Sequence, residues 1–141
     1  LFDVMAGFVH SQVLLACVRL GLFKMLDEGP LAASVLAHRT GVPEAALQRL
    51  LLSAISLGLL EHRSQNRIGL GKLGVPLVAH PGIAHMVEHS HLLYRDMLDP
   101  LAMLQHEHAD SAGGKGAMAQ YWPYAHADTA APQAPAPQHT I

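Results

Sequence analysis

The chain has 141 residues, half of them apolar by the AVILMFWYC count and 14% charged, with a formal net charge of −2. That length suits one ordinary domain and not comfortably two, and the apolar share excludes disorder for most of it. Only 5% of residues are aromatic while Leu and Ala abound, which favours packed helices over a β-sandwich. Eleven Asp+Glu against nine Lys+Arg is the reverse of the balance a phosphate-binding protein carries. The single Cys17 allows neither an internal disulfide nor a cysteine-based zinc site, so a cytoplasmic setting is expected. Residues 4–18 are uncharged but interrupted by His10, Ser11 and Gln12, too short and polar a run for a transmembrane segment. No basic n-region marks a signal peptide, and a start at Leu1 rather than Met fits a fragment.

In chain order, residues 3–26 read as helix. Met5, Phe8, Val9, Val13, Ala16, Cys17 and Leu20 recur at helical spacing, and Leu14, Leu15 and Val18 widen the apolar face beyond one core-facing stripe. Such a helix either sits deep in a core or meets a second chain. Gly21 interrupts it and Gly29-Pro30 stops it. Residues 31–38 predict a short helix with Val35 and Leu36 inward, closed at Gly41. Pro43 suits the N1 position of a third helix, with Glu44 in its first turn and Leu47, Leu50, Leu51, Ala54, Ile55 and Leu57 on its buried face. After Gly58, Leu59-Leu60-Glu61-His62 and Arg67-Ile68-Gly69-Leu70 flank Ser64-Gln65-Asn66 as a hairpin. A small apolar piece over 75–79 precedes a last helix over about 83–105, bent or broken at Pro100, with Met86, Val87, Leu93, Met97, Leu101 and Leu104 inward. The expected fold is mainly α: a winged-helix-like domain over 1–110 with a short β-hairpin wing and extra dimerisation helices. Residues 111–127 read as a junction segment and 128–141 as a disordered Ala/Pro/Gln-rich tail.

A winged helix invites a stand-alone DNA-binding regulator, the alternative function, with residues 43–57 entering the major groove. That helix offers only Gln48 and Arg49, and the wing adds Arg63 and Arg67. Base edges and phosphates call for more donors and cations, so packing is the favoured use and no nucleic-acid partner is expected. His85-Met86-Val87-Glu88-His89 matches H-x-x-E-H, in which two histidines one turn apart grip zinc. With 11 histidines in the chain a chance match is unsurprising, no third ligand is assignable, and no metal site is expected. The glycines at 113, 114 and 116 follow a polar run rather than a buried strand and read as linker. Cys17, on the most apolar helix, reads as core packing rather than a nucleophile.

Several strings carry a resemblance. Phe8-Val9-His10-Ser11-Gln12 with Val18-Arg19-Leu20-Gly21-Leu22-Phe23 resembles the opening dimerisation helix of S-adenosylmethionine-dependent small-molecule O-methyltransferases. Leu36-Ala37-His38-Arg39-Thr40-Gly41-Val42-Pro43, Leu47-Gln48-Arg49-Leu50-Leu51 and Leu57-Gly58-Leu59-Leu60-Glu61 resemble the helices that follow. Ile68-Gly69-Leu70-Gly71-Lys72-Leu73-Gly74 is similar to the family's wing exit, with Gly71 where Thr or Ser is common; glycine is an acceptable helix N-cap there. Tyr121-Trp122-Pro123-Tyr124-Ala125 narrows the resemblance to the bacterial branch of hydroxyneurosporene (carotenoid) and bacteriochlorophyllide methyltransferases.

The resemblance implies the amino-terminal part of such an enzyme and a homodimer with Met5, Phe8, Val9, Gln12, Val13 and Ala16 at the interface. It also implies a lid helix whose Met86, His89, Leu93, Tyr94 and Met97 contact an apolar small-molecule acceptor. By the same resemblance, S-adenosylmethionine is expected to serve the full-length enzyme on a separate α/β domain that follows and that also carries the family's catalytic histidine. No catalytic or cofactor-binding residue is therefore expected in these 141 residues, and the chain alone is expected to be inactive. The tail after residue 127 has no counterpart in the family and reads as truncated or out-of-frame sequence.

Overall fold

The computed structural model describes residues 1–102. The chain divides into two units, Leu1–His91 and Leu92–Ile141. The sequence-based readings of Leu104, the 113–116 glycines, the 121–125 aromatic island and the tail lie outside the described residues.

The first apolar run forms α1 (Phe2–Arg19) and α2 (Leu22–Asp27), two helices rather than one. The break is at Gly21, whose φ of +68° places it in the left-handed region that glycine enters without penalty. Its N–H donates to the Val18 carbonyl, ending α1, and its own carbonyl accepts from Met25 to begin α2. After Pro30 comes β1 (Leu31–Ala32), then α3 (Ala33–Thr40), which ends on Gly41. Val35, expected inside, is 39% exposed, while Leu36 and Ala37 are buried. Val35 and Ala37 lie 100° to either side of Leu36, and the core lies on the Ala37 side. α4 (Glu44–Ser56) begins one residue after Pro43, which is its N-cap rather than its first helical residue. The Pro43 carbonyl accepts from Ala46 and Leu47, and Glu44 lies where the helix dipole favours a carboxylate. Leu47, Leu51 and Ala54 form the buried face, with Leu50, Ile55 and Leu57 packed around them.

The wing consists of β2 (Leu60–Arg63) and β3 (Arg67–Leu70), joined through a 3-10 turn at Ser64–Asn66. The sheet has three strands, in the order β1-β3-β2, all antiparallel. Ile68 stands opposite both Leu31 of β1 and His62 of β2, so the wing is stitched to the helical body. α5 (Val75–Ala79) occupies the small apolar piece, and α6 (Pro81–Asp96) follows.

Gly71 and Gly74 fold the wing exit onto the start of the wing. A Cβ on Gly71 would lie 2.5 Å from the Gly58 carbonyl oxygen and 2.8 Å from that of Leu60; one on Gly74 would strike the Leu59 carbonyl. The N-cap of α5 is Gly74, not Gly71, so the expected capping role of Gly71 gives way to close backbone approach. Leu22, Leu36, Leu47, Leu60 and Cys17 are fully buried at the centre of this unit. Each such leucine stabilises the fold by roughly 1.5–3 kcal/mol.

In the second unit, Met97 closes a turn onto the Leu93 carbonyl. The Asp99 carboxylate accepts from the Ala102 N–H at 2.9 Å, capping a new helical start at Pro100. The break expected at Pro100 is therefore present, and the preceding helix ends at Asp96.

Candidate functional site on the exposed half of the first helix

The two halves of α1 differ. Leu15 and Cys17 are buried, and Val13, Leu14 and Val18 are partly buried against the core. Toward the amino end, Leu1, Phe2, Val4, Met5, Phe8 and Val9 are all more than half exposed, with Met5 at 67% and Phe8 at 63%. Among the residues expected at a dimer interface, Met5, Phe8 and Val9 are exposed, Phe8 with an interaction of its own, while Gln12, Val13 and Ala16 are half-buried. Phe2 and Val4 extend the face and were not singled out from the sequence; they stand at the helix start, where a periodic stripe has too few turns to register. At 100° per residue, Phe2, Val4, Met5, Phe8 and Val9 span roughly 160° of the helix circumference. Asp3, Gly7 and His10 lie on the opposite side. By length and composition alone the 18-residue α1 is apolar enough to cross a membrane. Its carboxyl-terminal half is built into the core of the first unit.

The second expected surface lies on α6. Its Ile83 and Val87 pack against the core, whereas Met86 is 65% exposed. Leu93, Met97 and Leu101, expected inward together with Met86, are exposed too. The helix turns its Ile83–Val87 stripe inward, and Met86, one residue or 100° from Val87, cannot share that direction. Of the expected acceptor contacts, Met86 and His89 belong to the first unit and Leu93, Tyr94 and Met97 to the second. His89 and Tyr94 are half-buried, each with an interaction of its own.

Chemistry elsewhere is sparse. Among the described residues no group of three His, Cys, Asp or Glu side chains is placed to hold a metal ion, the H-x-x-E-H stretch included. Burial pushes the Cys17 thiol up to about 12, far from the thiolate a nucleophile needs. On the face a DNA-binding winged helix would use, Gln48 donates to the Glu44 carboxylate at 3.2 Å. In the wing, Arg63 lies across Gly69, pairs with Glu61 at 2.5 Å and donates to the Leu70 carbonyl.

Two hollows remain. One of about 640 Å³, open to solvent, runs along the wing past Pro30, Arg63, Ser64 and Val75. The other, about 200 Å³, lies between α4 and the wing over Leu51, Leu52, Ile55 and Ile68, with Gln48, His62 and Asn66 at its rim. Leu52 is 60% exposed. It was missed from the sequence although Leu50-Leu51-Leu52 carries a signal: three successive helical residues span 200° and cannot all face one core. The close-packed glycines at 71 and 74 touch protein backbone rather than empty space. The sheet is antiparallel throughout, so the strand, glycine-rich turn and helix that cradle a nucleoside cofactor have no counterpart among the described residues.

Residues 2–74 match the family model of the O-methyltransferase dimerisation domain. The demethylspheroidene O-methyltransferase of Cereibacter sphaeroides is 41% identical over 124 residues, covering 88% of this chain and 31% of that protein. Its Rhodobacter capsulatus namesake is 37% identical over 127 residues, covering 88% of this chain and 30% of the relative. The chain thus spans about a third of the length of the curated relatives it matches. Among solved structures, the apo form of the S-adenosylmethionine-dependent methyltransferase SibL superposes with a TM-score of 0.67 at 28% identity, covering 76% of this chain and 33% of that one. A helical body, a short wing and a first helix half in and half out of the core fit that match, and the chain belongs to the O-methyltransferase dimerisation domain family.

Proposed function

We propose that this chain is the dimerisation part of an S-adenosylmethionine-dependent O-methyltransferase acting on a carotenoid alcohol, and that the exposed half of α1 helps join two copies. The observation that carries the reading is the exposed apolar face of Phe2, Val4, Met5 and Val9 on a dimerisation-domain fold. An exposed face that large marks an interaction site. The names of the two curated relatives support the acceptor class. Met86, Leu93 and Met97, flexible apolar side chains left open, suit contact with a long apolar acceptor, with His89 and Tyr94 as polar neighbours.

The whole enzyme would join a methyl group from S-adenosylmethionine to a substrate hydroxyl, and the cofactor would be held outside the residues described. Testing this takes the complete protein encoded in its source, given labelled S-adenosylmethionine and demethylspheroidene. Label in an O-methylated carotenoid is the expected result. Label transferred only to an unrelated hydroxylated compound would overturn the carotenoid assignment, and no transfer to any alcohol or phenol would overturn the methyltransferase reading. The purified 141-residue chain is expected to give no transfer.

A further inference from the structure

The wing breaks a pairing rule at its tip. Arg63 and Arg67 stand directly opposite each other on β2 and β3, so their side chains leave the same face of the sheet. Like charges in that arrangement repel. Glu61 shares the face and pairs with Arg63, which leaves a surplus of one positive charge there. A local rule is expected to break where a surface serves a function.

The larger hollow opens beside that charge. Its volume of about 640 Å³ falls within the roughly 300–1,000 Å³ of small-molecule pockets. Leu26, Pro30, Leu70 and Val75 give it apolar walls, and among the described residues Arg63 is its one charged lining residue, with Ser64 next to it. Gly69 makes the arrangement fit. A Cβ there would lie 2.9 Å from the Arg63 Nε and 3.0 Å from its Cγ, so glycine lets the Arg63 stem lie flat across β3. The Leu70 carbonyl and Glu61 then hold the guanidinium at the hollow. The Arg63 and Glu61 side chains are 48% and 43% exposed, and an ion pair so open to water contributes little to stability. An incoming carboxylate can therefore replace Glu61 with little loss.

We infer that the wing hollow binds a small amphipathic carboxylate, its hydrocarbon body against Leu26, Pro30, Leu70 and Val75 and its anionic head on Arg63. A guanidinium and a carboxylate match in bidentate geometry, and Arg67 opposite supplies the unneutralised charge that attracts the head. The site is separate from the α1 face and stands whether or not two copies pair.

Decanoate, titrated below its micelle concentration into the isotope-labelled 141-residue chain and followed by amide chemical shifts, tests it. Saturable shifts are expected at Ser64, Gly69 and Leu70, with decanol about tenfold weaker at the same amides. Arg63→Gln removes one charge-assisted contact and is expected to weaken decanoate about tenfold while leaving decanol unchanged. Glu61→Gln removes the rival carboxylate and is expected to tighten decanoate about threefold. A merely structural ion pair would not give these opposite responses. Shifts confined to Met5 and Val9 would place the hydrocarbon on α1 and overturn the site. Decanol binding as tightly as decanoate, or an unchanged decanoate affinity in Arg63→Gln, would overturn the anionic head. A duplex oligonucleotide that moves the same amides where decanoate does not would overturn the proposal in favour of a phosphate backbone.

Discussion

Within one 18-residue helix, the two halves of α1 are built from the same kinds of residue and meet opposite fates. The carboxyl-terminal half sinks Leu15 and Cys17 into the protein; the amino-terminal half holds Phe2, Val4 and Met5 in solvent. Composition does not separate them. What does is the neighbourhood: α2 and α4 close around the later turns, while Phe2, Val4 and Met5 on the earlier ones are exposed. Apolar periodicity therefore reports that a face wants burial and is silent on whether the same chain or another supplies it.

That contrast can be broken by mutation. Leu15→Ala is expected to destabilise the domain by about 2–4 kcal/mol, a buried large-to-small loss, read as a lower midpoint in urea. Gly74→Ala should cost about 2–3 kcal/mol, because its new methyl meets the Leu59 carbonyl and backbone cannot step aside as a side chain can. Cys17 sharpens the contrast through pH. Its thiol stays neutral in the fold up to about 12, against 9.0 for a thiol free in water. Between those values the unfolded chain has lost the proton and the native one keeps it, so stability falls as pH rises. The slope approaches about 1.4 kcal/mol per pH unit. Comparing urea midpoints of wild type and Cys17→Ala at pH 8 and 10.5 isolates it: the wild type loses more. The smallest effect is expected from Met5→Ala, within about 0.5 kcal/mol of wild type at dilutions where the chain is monomeric.

Much of the fold was legible in the sequence. The breaks at Gly21, Gly41 and Gly58 are written in glycine, and the wing in the change of period after Leu59. β1 was not legible, since two residues carry no periodicity and Leu31–Ala32 is a strand only because β3 pairs with it. On α3 the sequence placed Val35 beside Leu36 inside, where Ala37 stands, because apolar bulk favoured the valine. On α6 Val87 was expected inward and packs against the core with Ile83, whereas Met86 and Leu93, expected inward as well, are exposed. Large apolar side chains mark the core only where the chain itself buries them. The interface set divided for the same reason: Met5 and Val9 are exposed, and Gln12, Val13 and Ala16 are already half covered by their own domain.

The central claim is that the open half of α1 is a surface for a second copy of this chain. Sedimentation velocity of the wild-type chain and its Met5→Glu variant, over a hundredfold range of concentration, tests it most directly. The account predicts that the wild type sediments with twice the 15.1 kDa mass at the higher concentrations while Met5→Glu stays at 15.1 kDa with an unchanged circular dichroism spectrum. A wild-type chain that remains at 15.1 kDa throughout, or a Met5→Glu chain that dimerises as well as the wild type, would contradict it.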